Sequence, residues 1–311
     1  ADPTAIVCSG GIAWFDWIYL PAFMNAYAAN GGTGLDAIGV HEYWMSKINS
    51  NGPEGVMNPE YVFSNMTQWK STINQYLPNN NLGDMMTEAA PALYECGMDQ
   101  HEYAYLYVRE YLCDWIQGFK IVSYYDMDDN TAGKLWGLFS YDDNGNLRRA
   151  NTALQYMTST IKGRTLSSFT PSNKTLSNNG IWTMILSGSP AIEIAWVPQG
   201  AATVSVPAAT ACHDQYGNAV SLVNNSVSMN AASGVYYFTL LSPPQLTAVL
   251  SEASVILKWP TNVAGFTLQS TSNLVSPAFW SPNVPGPVIV NGQNTVTNPI
   301  SGAQQFFRLS Q

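Results

Sequence analysis

The chain has 311 residues, 46% of them hydrophobic and only 11% charged, with a formal net charge of −9 at pH 7. That length and apolar share support two or three domains with real cores and exclude wholesale disorder. The acidic balance gives no electrostatic footing for nucleic acid or an anionic membrane, and no stretch nears the roughly 20 apolar residues that span a bilayer.

Residues 1–163 alternate strand-like and helix-like segments. Ala5 to Cys8 reads as a strand, and Trp17 to Ala29 as a helix stopped by Gly31-Gly32. Leu35 to Tyr43 is the next strand and Asn58 to Tyr76 the next helix, with Tyr61, Phe63, Trp69 and Ile73 among its apolar positions. Leu82 to Thr87 is a strand, Glu102 to Ile116 a helix, Phe119 to Tyr125 a strand and Arg149 to Ile161 a last helix. Strict strand–helix alternation predicts a parallel sheet with right-handed crossovers.

From 164 to 241 the pattern changes to short alternating runs between Gly and Asn turns. Trp182 to Leu186, Ile192 to Trp196, Ala202 to Val206 and Val235 to Thr239 predict a β-sandwich. Ser242-Pro243-Pro244 reads as a linker to a small fibronectin-like β domain over 245–311, with strands at Val255 to Pro260, Phe266 to Gln269 and Gln305 to Leu309. The fold class expected is therefore α/β plus all-β.

Asn, Ser, Thr and Gly carry much of the surface polarity, a composition that suits a secreted or cell-surface bacterial protein. The four cysteines, Cys8, Cys96, Cys113 and Cys212, lack metal-type Cys-x-x-Cys pairing. A bridge between Cys96 and Cys113 and a set of buried free thiols both remain open. No cofactor or metal is expected, since His101 and His213 have no ligand spacing and the Asp126, Asp128, Asp129 cluster reads as a solvated acidic loop.

The informative residues lie where the strands end. Asp36 to Tyr43 closes on His41-Glu42-Tyr43-Trp44, Met86-Thr87-Glu88 closes the next strand, and Tyr124-Tyr125-Asp126 the last. Further on come Leu135-Trp136-Gly137-Leu138-Phe139 and the turn Asp143-Asn144-Gly145. In this order and spacing the region resembles the C-terminal half of a clan-A glycoside hydrolase barrel, strands five to eight, as in the xylosidase-type family 39 and its cellulase relatives. The resemblance implies a half (β/α) barrel of four units followed by one or two β-sandwich domains. It also implies a retaining glycosidase acting on β-linked glycans of the xylan or cellulose type, with Glu88 as nucleophile.

Retaining hydrolysis uses two carboxyls about 5–5.5 Å apart, one as nucleophile and one as acid and then base. Glu88 fits the first role, with Tyr43 as a hydrogen-bond partner and His41 touching the carboxylate or a sugar hydroxyl. Alternation puts His41 and Tyr43 on one strand face and Glu42 on the other. Trp44, Tyr124, Tyr125 and Trp136 are candidates to stack on sugar rings. The family's acid/base Glu follows Asn, and no Asn-Glu dipeptide occurs in this sequence. Glu95 is the nearest in-chain substitute. An oligo- or polysaccharide is the expected partner, and a homodimer that closes the barrel is one way to supply the second carboxyl. The opposing reading is a non-catalytic carbohydrate-binding or cell-surface protein that carries a remnant half barrel.

Overall fold

A computed structural model of the chain describes residues 4–13, 16–42, 58–89, 99–119, 121–124, 148–242, 244–261, 265–301 and 304–310, with only the backbone described for Ala13, Glu42 and Glu88. The chain divides into two compact units, Ala1–Leu240 and Leu241–Gln311.

The first unit opens with four strand–helix repeats. Strands β1 (Ile12–Ala13), β2 (Ala37–Glu42), β3 (Gly83–Ala89) and β4 (Val122–Tyr124) form a parallel sheet in that spatial order. Helices α1 (Tyr19–Ala29), α2 (Val62–Tyr76), α3 (Gln100–Gln117) and α4 (Arg149–Ile161) follow them in turn. The parallel order follows from the helical crossovers, which return the chain to the same end of the sheet each time.

Several boundaries differ from the sequence expectation, two of them early in the chain. The run Ala5 to Cys8 does not form the first named strand. Its end joins the start of β2 through the Cys8–Ala37 bridge, and Ser9-Gly10-Gly11 then interrupts the ladder before β1 resumes at Ile12. The segment before α2 is a 3-10 turn over Pro59–Tyr61, with Pro59 at its first position, where a missing N–H costs no hydrogen bond. The start of α3 is fixed by Asp99, whose side chain accepts hydrogen bonds from the backbone N–H groups of His101 and Glu102 at 2.8 Å. Its end is fixed by Gly118, which adopts φ 98° and closes the last turn.

The antiparallel part adds β5 (Leu166–Thr170), β6 (Trp182–Leu186), β7 (Ile192–Trp196), β8 (Ala201–Ser205), β9 (Ala209–His213), β10 (Ser226–Asn230) and β11 (Tyr236–Leu240). Their order is β5-β6-β7-β11-β9 in one sheet and β10-β8 in the other. Alternation along β7 separates two cores. Ile192, Ile194 and Trp196 face the helices, while Ala195 faces Val204, Met229 and Phe238 of the sandwich interior. The helix-facing core continues without a break into Trp69, Phe63 and Met157, so the helical layer and the larger sheet share one interior. Phe63 of α2 stacks on Trp182 at 5.7 Å, and Trp182 lies 5.9 Å from Trp196.

A buried polar lock crosses the same boundary. Arg109 of α3 donates two bonds to Glu60, at 2.9 and 2.6 Å, and a third to Asn58 at 3.0 Å. Trp196 Nε1 donates to the same Glu60 carboxylate at 2.7 Å. The charges are thus paired in the forked geometry in which a buried ion pair retains most of its attraction.

The second unit holds β12 (Thr247–Ser251), β13 (Ser254–Pro260), β14 (Thr267–Thr271), β15 (Ser281–Pro282), β16 (Val288–Val290), β17 (Gln293–Pro299) and β18 (Phe306–Ser310). They form sheets β12-β13-β17-β16 and β15-β14-β18 around a small core of Leu257, Trp259, Leu268 and Val296. Among the described residues no helix is long and apolar enough to cross a membrane.

Candidate active site

The parallel strands bring four chain ends to one rim: Ala13, Glu42, Ala89 and Tyr124. The carboxyl ends of parallel strands are where open and closed α/β sheets bind ligands. Here the rim is also where the ladder becomes irregular.

From Ala37↔Gly83 to Val40↔Met86 the pairing of β2 with β3 advances one residue at a time. The next pair is His41↔Glu88, so Thr87 is an extra residue on β3. The pairing with β4 jumps over the same place, from Met86↔Val122 to Ala89↔Tyr124. A bulge of this kind re-aims the residues that follow it. Its consequence is that Glu88, and not Thr87, takes the register position beside His41.

Local contacts hold the bulge. Thr87 Oγ1 donates to the carbonyl of Val40 at 3.2 Å. Thr87 also lies over Gly39, where a Cβ would stand 3.1 Å from Thr87 Oγ1 and from the Ser9 carbonyl. Ser9 Oγ in turn accepts from the Gly39 N–H at 2.9 Å. The His41 ring is placed by a second glycine. A Cβ on Gly11 would collide with the His41 ring at Nε2, whereas one on the preceding Gly10 would meet nothing within 4 Å. Gly11 therefore leaves the space in which the imidazole rests.

Gly11 also lines a cavity of about 300 Å³, together with Ser9, Gly10, Asp16, Tyr19 and Phe23. Tyr19, Phe23 and Tyr27 continue from it as a stacked series along α1, with ring centroids 6.2 and 6.0 Å apart. Asp16 accepts bonds from the backbone N–H groups of Ile18 and Tyr19 at 2.8 Å. These two bonds hold its carboxyl below the usual range, the opposite of what a general acid needs.

Two further carboxylates near the strands are also engaged. Asp36 accepts from the Val7 N–H at 2.8 Å. Asp84 pairs with Lys70 at 3.0 Å, and burial raises its carboxyl despite that pairing. Asp84 lies four residues before Glu88, about 13 Å back along an extended strand. It helps to line a separate cavity of about 540 Å³ at the amino ends of the strands.

The sequence candidates are divided by the structure. His41 and the backbone of Glu88 are brought together. Tyr43, Trp44, Tyr125 and Trp136 lie outside the described residues, as do Glu95, Cys96, Asp126, Asp128 and Asp129. Tyr124 does not line the cavity at Gly11. Its ring packs on α3, 5.0 Å from Tyr107 and 6.0 Å from Tyr111, and burial pushes its hydroxyl well above the usual range. His101 bonds to the Tyr216 hydroxyl and to the carbonyl of Ala232, both at 2.8 Å, and so fastens α3 to the sandwich. Among the described residues there is no cluster of three His, Cys, Asp or Glu side chains able to hold a metal ion.

No protein family and no curated protein matches the sequence. The fold is similar to that of solved glycoside hydrolases. A β-porphyranase of glycoside hydrolase family 86 from the human gut bacterium Bacteroides plebeius superposes with a TM-score of 0.51 at 10% identity, over 96% of this chain and 64% of its own. A glucosidase from Croceicoccus marinus gives a TM-score of 0.48 at 10% identity over 96% of this chain and 59% of its own. An arabinofuranosidase of family 51 from Xanthomonas axonopodis pv. citri gives 0.49 at 10% identity over 77% and 59%. The chain thus spans about three fifths of the length of these proteins. The likeness is one of fold, and the porphyranase is the comparison that carries it.

Proposed function

We propose that this chain is the strand-five-to-eight half of a (β/α)8 glycoside hydrolase barrel with its appended β domains. The activity proposed is retaining hydrolysis of β-linked glycans of the xylan or cellulose type. The observation that carries this reading is the bulge at Thr87, which gives Glu88 the register position beside His41 at the carboxyl end of the sheet. The fold shared with the porphyranase supports it.

In this mechanism Glu88 attacks the anomeric carbon as the glycosidic oxygen leaves, forming a glycosyl-enzyme ester that water then hydrolyses. His41, seated over Gly11, hydrogen-bonds the carboxylate or a sugar hydroxyl. Tyr43 orients the nucleophile, and Trp44, Tyr125 and Trp136 stack on the sugar. Among the described residues Asp16, Asp36 and Asp84 are held by other partners, and the acid/base carboxyl is assigned to the complementary barrel half. That half is a preceding segment of the same polypeptide or a second copy about a twofold axis. The open edge of β1, flanked by the exposed Ile6, Val7 and Ile18, is the surface it would cover. Secretion or display at the cell surface places the enzyme with its polymer.

The test is turnover of aryl β-xylosides and β-glucosides by the wild-type protein and by Glu88→Ala. Loss of several orders of magnitude in kcat, with the unfolding midpoint unchanged, is the expected result. Equal turnover by both proteins would remove Glu88 from the chemistry, and turnover by neither would put the non-catalytic, glycan-binding reading in its place.

A further inference from the structure

The second unit carries a pocket that the proposed hydrolysis does not use. A cavity of about 480 Å³ opens beside β14 and β15, its rim formed by Phe279, which is 86% exposed. Polar members of its lining include Ser270, Ser272, Asn273, Ser281 and Gln305, and no lining residue carries a formal charge. The exposed phenyl ring has apolar area left to bury against a ligand.

The polar groups around this ring are fixed and available. Thr271 Oγ1 donates to the Asn273 carbonyl at 3.0 Å and accepts from the Asn273 N–H at 3.2 Å. The Val275 N–H donates to Asn273 Oδ1 at 2.9 Å, and Gln304 Nε2 donates to the Ser272 carbonyl at 3.0 Å. Asn273 is therefore held by its oxygen, with its Nδ2 donor left over. Among the described residues, the hydroxyls of Ser270, Ser272 and Ser281 and the amide of Gln305 also have no hydrogen-bond partner. The segment that carries Phe279 is anchored at its neighbour: Arg308 lies 4.3 Å over the Trp280 ring and donates to Gln269 at 2.9 Å.

From this arrangement we infer that the pocket binds a neutral glycan. The apolar CH face of a pyranose covers the Phe279 ring, and its hydroxyls bond the Asn273 and Gln305 amides and the serine hydroxyls. The absence of charge from the lining excludes anionic or cationic ligands held by ion pairing. The site belongs to a different compact unit from Glu88, so it retains a polymer independently of any chemistry at the barrel rim.

Affinity electrophoresis of the full chain through gels containing arabinoxylan or mixed-linkage β-glucan tests this, with polygalacturonate as the anionic control. The expected result is retardation by at least one neutral polymer, insensitive to salt, preserved in Glu88→Gln and weakened at least fivefold in Phe279→Ala. Gln305→Ala serves as a second variant on the polar side and is expected to weaken retardation in the same direction. Both positions are exposed, and an unchanged unfolding midpoint confirms that each variant is folded. Retardation by neither neutral polymer, a loss in Phe279→Ala smaller than fivefold, or retardation by polygalacturonate alone would overturn the assignment. A loss in Glu88→Gln that Phe279→Ala does not share would also overturn it, and would place binding at the barrel rim.

Discussion

The interior of the first unit and the rim of its parallel sheet treat polar groups in opposite ways. In the interior, Glu60 is matched by Arg109 and by Trp196 Nε1, and Asn58 takes a further Arg109 N–H. That lock joins a 3-10 turn, a helix and a sandwich strand. At the rim, the sheet gives up regular pairing, and a glycine is needed beneath His41. The interior network around Glu60 is closed, whereas the proposed site residues stand where the ladder is irregular. The two sets should therefore separate by experiment, one failing in stability and the other in activity.

The largest effect on stability is expected from Arg109→Ala, which leaves the Glu60 carboxylate buried without its cation. Denaturant unfolding should show a loss of about 3–5 kcal/mol, the range for breaking a buried pair from one side. Turnover per folded molecule should be unchanged. Gly11→Ala is the converse. Its Cβ would collide with the His41 ring, so the side chain or the strand must shift, at a cost of about 1–3 kcal/mol. Turnover should fall at least tenfold, while Gly10→Ala, which meets nothing, leaves both readouts near wild type.

Asp114 sharpens the comparison, since it lies in the interior yet is not closed into a network. It is fully buried on α3, and among the described residues neither carboxyl oxygen has a hydrogen-bond partner. Burial raises its carboxyl well above the ordinary value. Its contribution to stability is accordingly intact below the pKa of the unfolded chain and is lost as pH rises through the folded one. Asp114→Asn cannot ionise, so it should match wild type near pH 4 and gain on the order of 1–2 kcal/mol at neutral pH. A gain at pH 4 as large as at pH 7 would show that the effect is packing, not ionisation. The smallest effect is expected from Lys70→Ala at the amino ends of the strands. Lys70 is half-exposed, and loss of its pair with the more buried Asp84, whose carboxyl can take up a proton instead, should cost about 1 kcal/mol and leave turnover unaltered.

The strand–helix alternation was legible because each helix repeats its apolar face every three or four residues and each strand is bounded by turn residues. Strand β3 was legible as a strand, but its end was not. The sequence reading stops it at Thr87, whereas the ladder runs on to Ala89 and makes Glu88 an internal residue. A bulge leaves no mark on composition, since it depends on what the neighbouring strands present, here Gly39 and the Val40 carbonyl. Tyr124 shows the same limit from another side: a three-residue strand carries too short a pattern to say which face meets the helix. The Glu60–Arg109–Trp196 lock was missed because its members lie 49 and 136 residues apart. Strands such as β9 and β12 were passed over because their Ala-containing stretches alternate weakly.

The central claim is that the Thr87 bulge makes Glu88 a nucleophile. The direct test is incubation of the protein with 2-deoxy-2-fluoro xylosyl and glucosyl donors that carry activated leaving groups, followed by intact mass and peptide mapping. Such donors need little help from the acid, so they report on the nucleophile alone. The account predicts one covalent adduct, mapped to Glu88 and absent from Glu88→Ala. An adduct on a different carboxylate, or none on the folded protein, would contradict it.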